Sequence, residues 1–205
     1  MSEDQFNTVH VSSQGTYKDR GSKFKAYLFH CENEDHFKEQ LAGIQALDYA
    51  ARHHCWAYRI NPESPVERSN DDGEPSHSAG TPILRALQSS KLQNVGCVVS
   101  RTFGGIKLGV PGLIAAYGGA AKDACENAAI ATVGITRSFW ITFGYDSMSD
   151  AENIVRQTGA TVATRIQNME VYYQIQCKKS KLEETLLPFE KHYKISISAT
   201  KPSGA

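Results

Sequence analysis

The chain has no excess charge of either sign: 22 Lys and Arg balance 22 Asp and Glu over 205 residues. No global field therefore draws it toward nucleic acid or an anionic membrane, and any such attraction must be local. It also has no apolar run near the ~20 residues that cross a bilayer. The start, MSEDQFNTVHVSSQG, lacks the basic region, apolar run and small-residue cleavage site of a secretory signal. These absences predict a cytoplasmic location and no membrane partner. C-x-x-C spacing is missing as well. The five cysteines, Cys31, Cys55, Cys97, Cys125 and Cys177, are odd in number and scattered, so they read as buried thiols rather than a disulfide or zinc framework. Without G-x-S-x-G, H-E-x-x-H or G-x-G-x-x-G, the common hydrolase and dinucleotide readings have no support.

What is present falls into two patterns. In the second half, apolar residues alternate from Ile135 to Tyr145, predicting a strand. Ser149 with Glu152 forms a capping box for a helix that stops at Gly159. Alternating runs at 162–166 and 171–177 predict a hairpin, and a second capping box, Ser180 with Glu183, opens another helix. A last strand carries Tyr193, Ile195 and Ile197. The order β-α-β-β-α-β is the ferredoxin-like arrangement. The first half is less regular. Val9 and Val11 begin a strand, Phe24, Ala26 and Leu28 mark another, and Phe37, Leu41, Ile44 and Leu47 form one face of a helix after Asn33. HHCWAYRI is a strand, followed by a loop at 61–80. Thr81 caps a helix with Pro82 at its first position, NVGCVVS is a buried strand, and a helix runs from Pro111 to Ala129. The fold class is α+β, with domains at 1–131 and 132–205 divided at ATVG.

Six glycines and one proline lie between Arg101 and Ala120, where a strand hands over to a helix. Gly104, Gly105, Gly109 and Gly112 are read as shaping a turn with exposed amides at a helix N-terminus, which favours phosphate or carboxylate. Gly118 and Gly119 are read as letting the helix lie close on the sheet. Gly104 and Gly109 have P-loop spacing, yet Val110 and Pro111 stand where Lys and Ser or Thr are required. From Pro75 through Lys122 there are five cations (Arg85, Lys91, Arg101, Lys107, Lys122) and no Asp or Glu, a segregation that suggests an anion-facing surface. The acidic stretch before it, Asp71, Asp72, Gly73 and Glu74 with nearby His77, reads either as a solvated turn or as a Mg2+ or general-base cluster. His53 and His54 are adjacent in a strand and point to opposite faces, so they do not chelate one metal together.

In this order and spacing, ARHHCWAY, DDGEPSHSAGTPIL and RTFGGIKLGVPGLIAAYGGA resemble the signature of the IMPACT family, in its bacterial YigZ-type, two-domain form. The resemblance implies a first domain like domain IV of elongation factor G and the second domain of a small-subunit ribosomal protein. It implies a second domain like domain V of elongation factor G. Eukaryotic relatives act in translational control; for bacterial members an RNA or ribosome connection is implied. The family wording differs at Thr102, where an aromatic is usual, and at Val110 and Pro111, which remove a hydroxyl and a backbone donor from the turn. The resulting expectation is a noncatalytic RNA- or ribosome-binding protein, without cofactor or metal, whose partners include RNA or ribosome and a translation-associated protein. Arg101, Lys107, Lys122 and the Gly104, Gly105, Gly109 and Gly112 amides would contact phosphates, while Arg52, His53, His54, Asp71, Asp72, Gly73 and Glu74 would order the adjoining loop. The alternatives are a Mg2+-dependent enzyme on a phosphorylated small molecule or RNA, and a protein-docking module.

Overall fold

The structure, a computed structural model, describes residues 4–204. Residues 1–3 and 205, which the ranges 1–131 and 132–205 and the polar start include, lie outside the described residues. The chain divides into two units: Phe6–Val133, and the chain from Gly134 onward together with Asp4 and Gln5.

The first unit contains, apart from the end residues Gln5 and Gly134, β1 (Gln5–Val9), β2 (Ser13–Asp19), β3 (Ser22–His30), α1 (Glu34–Leu47), β4 (His53–Ile60), β5 (Val66–Asn70), α2 (Gly80–Ser89), β6 (Val95–Thr102), α3 (Gly109–Glu126) and β7 (Ile130–Gly134). Five strands form an antiparallel sheet in the order β2-β3-β6-β4-β5, and β1 pairs with β7. The central strand β6 is buried along all but its last residue, which explains why NVGCVVS reads as an unbroken apolar run. Val95, Cys97 and Val99 join Phe24, Ala26, Leu28, Cys55 and Ala57 in a core beneath α2 and α3. On the other face Tyr27, Phe29, Tyr58 and Val98 pack with Phe37 and Ile44 of α1. The α1 start is set by Asn33, whose side-chain oxygen accepts from the His36 amide at 2.8 Å.

Helix α3 lies against β2 at glycine contacts. A Cβ on Gly15 would overlap the backbone of Ala120 and Ala124, and one on Gly119 would meet the Tyr17 ring. Gly118 instead faces Pro82 of α2 at ordinary van der Waals distance.

The second unit contains β8 (Thr136–Phe143), α4 (Met148–Thr158), β9 (Thr161–Gln167), β10 (Val171–Lys178), α5 (Leu182–Glu190) and β11 (Ile195–Ser198). Its antiparallel sheet has the order β11-β8-β10-β9, which is the 4-1-3-2 order of a split βαββαβ unit. Phe139, Ile141, Phe143, Tyr173, Ile175 and Phe189 fill its core. Gly159 ends α4 at φ 67°.

Several local expectations need correction. The loop at 61–80 contains a strand, β5, paired with β4 from Trp56↔Asn70 to Ile60↔Val66. Being an edge strand with mostly polar, exposed residues, it has no apolar alternation to reveal it. The ATVG spacer is strand β7. Val11 is 60% exposed and lies beyond the end of β1, while the polar β2 follows it. Thr81 does not cap α2, which begins at Gly80, and α3 begins two residues before Pro111. Ser149 lies inside α4. Ser180 precedes α5 in a short 3-10 turn and hydrogen-bonds through its amide and hydroxyl to Asp4. Tyr193 lies outside β11 and is 89% exposed. Among the described residues, no helix is long and apolar enough to cross a membrane.

Candidate functional site

The acidic turn after β5 folds around its own carboxylates. Asp71 Oδ1 accepts from the amides of Ala79 (3.0 Å) and Gly80 (2.8 Å), and Oδ2 accepts from the His77 amide (2.8 Å). A residue nine positions upstream thus caps α2, the role that sequence reading gave to Thr81. Burial works to raise the Asp71 pKa, but these three amides and His77 outweigh it and hold the carboxyl below the usual 3.8. Asp72 and Gly73 turn the chain with φ 42° and 84°. Asp72 Oδ2 accepts from the His54 amide at 2.6 Å, and its carbonyl lies 2.7 Å from His53 Nδ1. The Cys55 thiol donates to the Asp71 carbonyl at 3.1 Å, and burial pushes its pKa up to about 12.

Glu74 closes the turn onto the core. Its Oε1 accepts from Arg101 at 2.6 Å and from the Tyr117 hydroxyl at 2.8 Å. The side chains of Arg101 and Glu74 are only 9% and 5% exposed. Arg101 is therefore a buried, neutralised cation rather than the free phosphate contact that its place in the sequence suggested. The guanidinium also stacks near the Phe24 and Phe103 rings, at 5.6 and 5.5 Å from their centroids. Its Nε has no hydrogen-bond partner among the described residues.

Beside this ion pair opens a cleft of about 470 Å³ lined by residues from the start of β4, the acidic turn, the end of β6 and the start of α3. Its charged members are Arg52, Lys107, Arg101 and Glu74, three cations against one carboxylate, with His53 beside them. Arg52 and Lys107 are exposed. Phe103, Leu108, Val110 and Leu113 form its apolar side. Phe103 is 50% exposed and Val110 46%, so flat apolar surface borders the cationic groups.

The remaining sequence-selected residues separate by role. Gly105 and Gly109 adopt positive φ of 88° and 71°, which the turn requires of glycine. Gly104 does not offer a free amide: it donates to Ser22 Oγ at 3.1 Å, and a Cβ there would overlap the backbone of Gly21. A Cβ on Gly112 would press on Leu108. Lys122 is 72% exposed and pairs with Glu126 one turn on, at 3.6 Å, away from the cleft lining, as are Arg85 and Lys91. His54 is buried at 7% exposure, whereas His53 is part-exposed in the cleft wall. No three His, Cys, Asp or Glu side chains among the described residues are grouped to hold a metal ion. The oxygens of Asp71 and one of Glu74 already accept protein donors. Sequence reading passed over Tyr117 and the apolar lining; the signal for Tyr117 was an aromatic within the alanine-rich face of α3.

The Impact N-terminal domain model matches residues 20–125. The IMPACT family member YvyE of Bacillus subtilis (strain 168) is 34% identical over 137 residues, covering 67% of this chain and 63% of that protein. The IMPACT family member YigZ of Escherichia coli (strain K12) is 37% identical over 105 residues, covering 50% of this chain and 52% of that protein. The matches therefore span only part of the relatives' length. A crystal structure described as that of a hypothetical protein shares the fold with a TM-score of 0.71 at 23% identity, over 98% of this chain and 99% of the other.

Proposed function

The chain belongs to the IMPACT family, and from that premise we propose that it is a noncatalytic, cytoplasmic RNA- or ribosome-binding protein acting in translation or its regulation. The observation that carries this reading is the cleft at the sheet end, where Arg52 and Lys107 stand beside the exposed Phe103. Cations neutralise phosphates, and an aromatic face next to them accepts an unstacked base. The buried Arg101–Glu74 pair lines the same cleft. On this reading the two units correspond to domains that divide at 131–134 and resemble domains IV and V of elongation factor G. Translational control by eukaryotic members supports placing the activity in translation; a translation-associated protein is a further partner in this proposal.

The test is fluorescence anisotropy with labelled RNA and with ribosomes across a salt series. Binding should fall steeply with salt, and Lys107→Ala should weaken it similarly for all sequences, reducing the slope by about 0.7 for one single-strand phosphate. Absence of binding to both, or binding indifferent to salt, would refute the proposal.

One observation favours a second reading as a protein-docking module. Phe103, Ile106, Val110 and Ile114 are 50%, 55%, 46% and 40% exposed along the turn and the start of α3. Association with a single protein that survives nuclease treatment and is lost on Ile106→Glu would select that reading.

A further inference from the structure

A second basic cleft, of about 330 Å³, opens on the opposite face of the same sheet end. Its walls come from β2, β3, the end of β6 and the connection between α1 and β4. Its charged members are Lys18, Lys23, Lys25 and Asp48, again three cations against one carboxylate. Lys18 and Lys23 are direct cross-strand partners in the β2–β3 hairpin. Like charges placed opposite one another in an antiparallel pair repel, and neither ammonium has an ion-pair or hydrogen-bond partner among the described residues. Asp48 lines the same cleft but forms no ion pair with either lysine among the described residues; its Oδ2 accepts from the hydroxyls of Tyr27 and Ser100, both at 2.6 Å. Lys25 is occupied over the Tyr27 ring, 4.7 Å from its centroid. Beside the free lysines stands Tyr49, 85% exposed.

The two clefts share a wall. Ala51 lines one and Arg52 the other; Ser100 and Thr102 line one, Arg101 and Phe103 the other. Ser100, Arg101 and Thr102 are consecutive in β6, and consecutive residues of an extended strand project to opposite faces, so the clefts lie back to back across the end of β6. Each pairs unneutralised cations with an exposed aromatic ring: Arg52 and Lys107 with Phe103, Lys18 and Lys23 with Tyr49. That combination suits a flexible strand with splayed bases, whereas a duplex keeps its base faces stacked inside.

We infer that one single-stranded RNA wraps the sheet end, its phosphates meeting Lys107 and Arg52 on one face and Lys18 and Lys23 on the other, with Tyr49 stacking a base. This rests on the RNA reading above and adds a second contact to it.

The test uses the full chain and fluorescein-labelled, mixed-sequence single-stranded RNA of roughly 16 and roughly 4 nucleotides, lengths that bracket the site sizes of small single-strand binders. Lys18→Gln/Lys23→Gln should weaken binding of the long probe about tenfold and reduce its salt slope by about 1.4, two phosphates at ~0.7 each. Tyr49→Ala should weaken it about five- to a hundredfold, the range for one lost stacked base. Lys107→Ala should weaken binding as well, and none of these exposed positions should move the denaturation midpoint appreciably. For the short probe, which reaches one face only, combining Lys107→Ala with Lys18→Gln/Lys23→Gln should abolish binding that either set alone leaves measurable. If the unaltered chain binds the long probe and Lys107→Ala weakens it while Lys18→Gln/Lys23→Gln and Tyr49→Ala do not, the wrapped path is overturned and the RNA reading stands. If the unaltered chain binds neither probe, the wrapped path and the free-RNA reading both fall, whatever the ribosome measurement gives.

Discussion

Arg101 and Lys107 are six positions apart, yet their substitution should have opposite signatures. Arg101→Ala leaves the buried Glu74 carboxylate without its charge partner, a loss that costs about 3–5 kcal/mol. Lys107→Ala removes an exposed side chain and should change stability by less than about 0.5 kcal/mol. Urea denaturation of the two variants checks this; equal stability would mean that the Arg101–Glu74 contact is energetically idle. Asp71→Ala should cost about 2 kcal/mol, since it removes the cap of α2 and strands the amides of His77, Ala79 and Gly80. Its pH signature follows from the lowered pKa. Because the folded value lies below the unfolded one, the stabilisation is complete above the ordinary 3.8 and is lost as pH falls through the folded value. Asp71→Ala should therefore flatten the acid limb below about pH 4, and an unchanged limb would show that Asp71 contributes nothing there. The sequence pointed to Asp71, Glu74, His53 and Arg101 as neighbours, but not to their division of labour. A carboxylate reaching nine residues forward to cap a helix has no local motif, and an arginine in a basic segment looks free until its long-range partner is known.

At the scale of elements, the α3–β2 contact makes glycine substitutions diagnostic. Gly15→Ala puts a methyl group into the backbone of Ala120 and Ala124, where neither side can yield, and should cost more than the 1–3 kcal/mol typical of overpacking, roughly 3 kcal/mol or above. Gly43 lies within α1 with nothing within 4 Å of a Cβ, so Gly43→Ala should stabilise by about 0.5–1 kcal/mol through helix propensity alone. Thermal denaturation of the two variants should shift in opposite directions; a shared direction would contradict the packing described. The periodic elements were legible for the same physical reason. Strands with one or both faces in the core, such as β4, β6 and β10, carry apolar residues at fixed intervals. Strands β2, β5 and β7 are largely exposed, and their pairing comes from backbone hydrogen bonds that leave little mark on composition.

For the whole molecule, a net charge of zero hides two local excesses of cations at one sheet end, which a count over the chain cannot reveal. The hairpin KDRGSKFK escaped the sequence analysis, since Lys18 and Lys23 become neighbours only through strand pairing and their relation to Tyr49 depends on how the chain returns after α1. All five cysteines are buried and none is in a disulfide. Burial pushes the Cys31 and Cys55 thiols up to about 11 and about 12, so neither forms a thiolate near neutrality. A colourimetric disulfide reagent at pH 8 should label none of the cysteines rapidly in the folded protein and all of them after denaturation; fast stoichiometric labelling of the native chain would contradict this burial. The acidic turn has a further consequence for recognition. A loop already cross-braced by its own carboxylates has surrendered its conformational freedom before a ligand arrives, so docking beside it carries little additional ordering cost. On the proposed RNA reading, the amides of Ala79 and Gly80 should accordingly exchange with solvent equally slowly in the protein alone and with excess single-stranded RNA, the behaviour of a turn ordered in advance; faster exchange in the protein alone would contradict it.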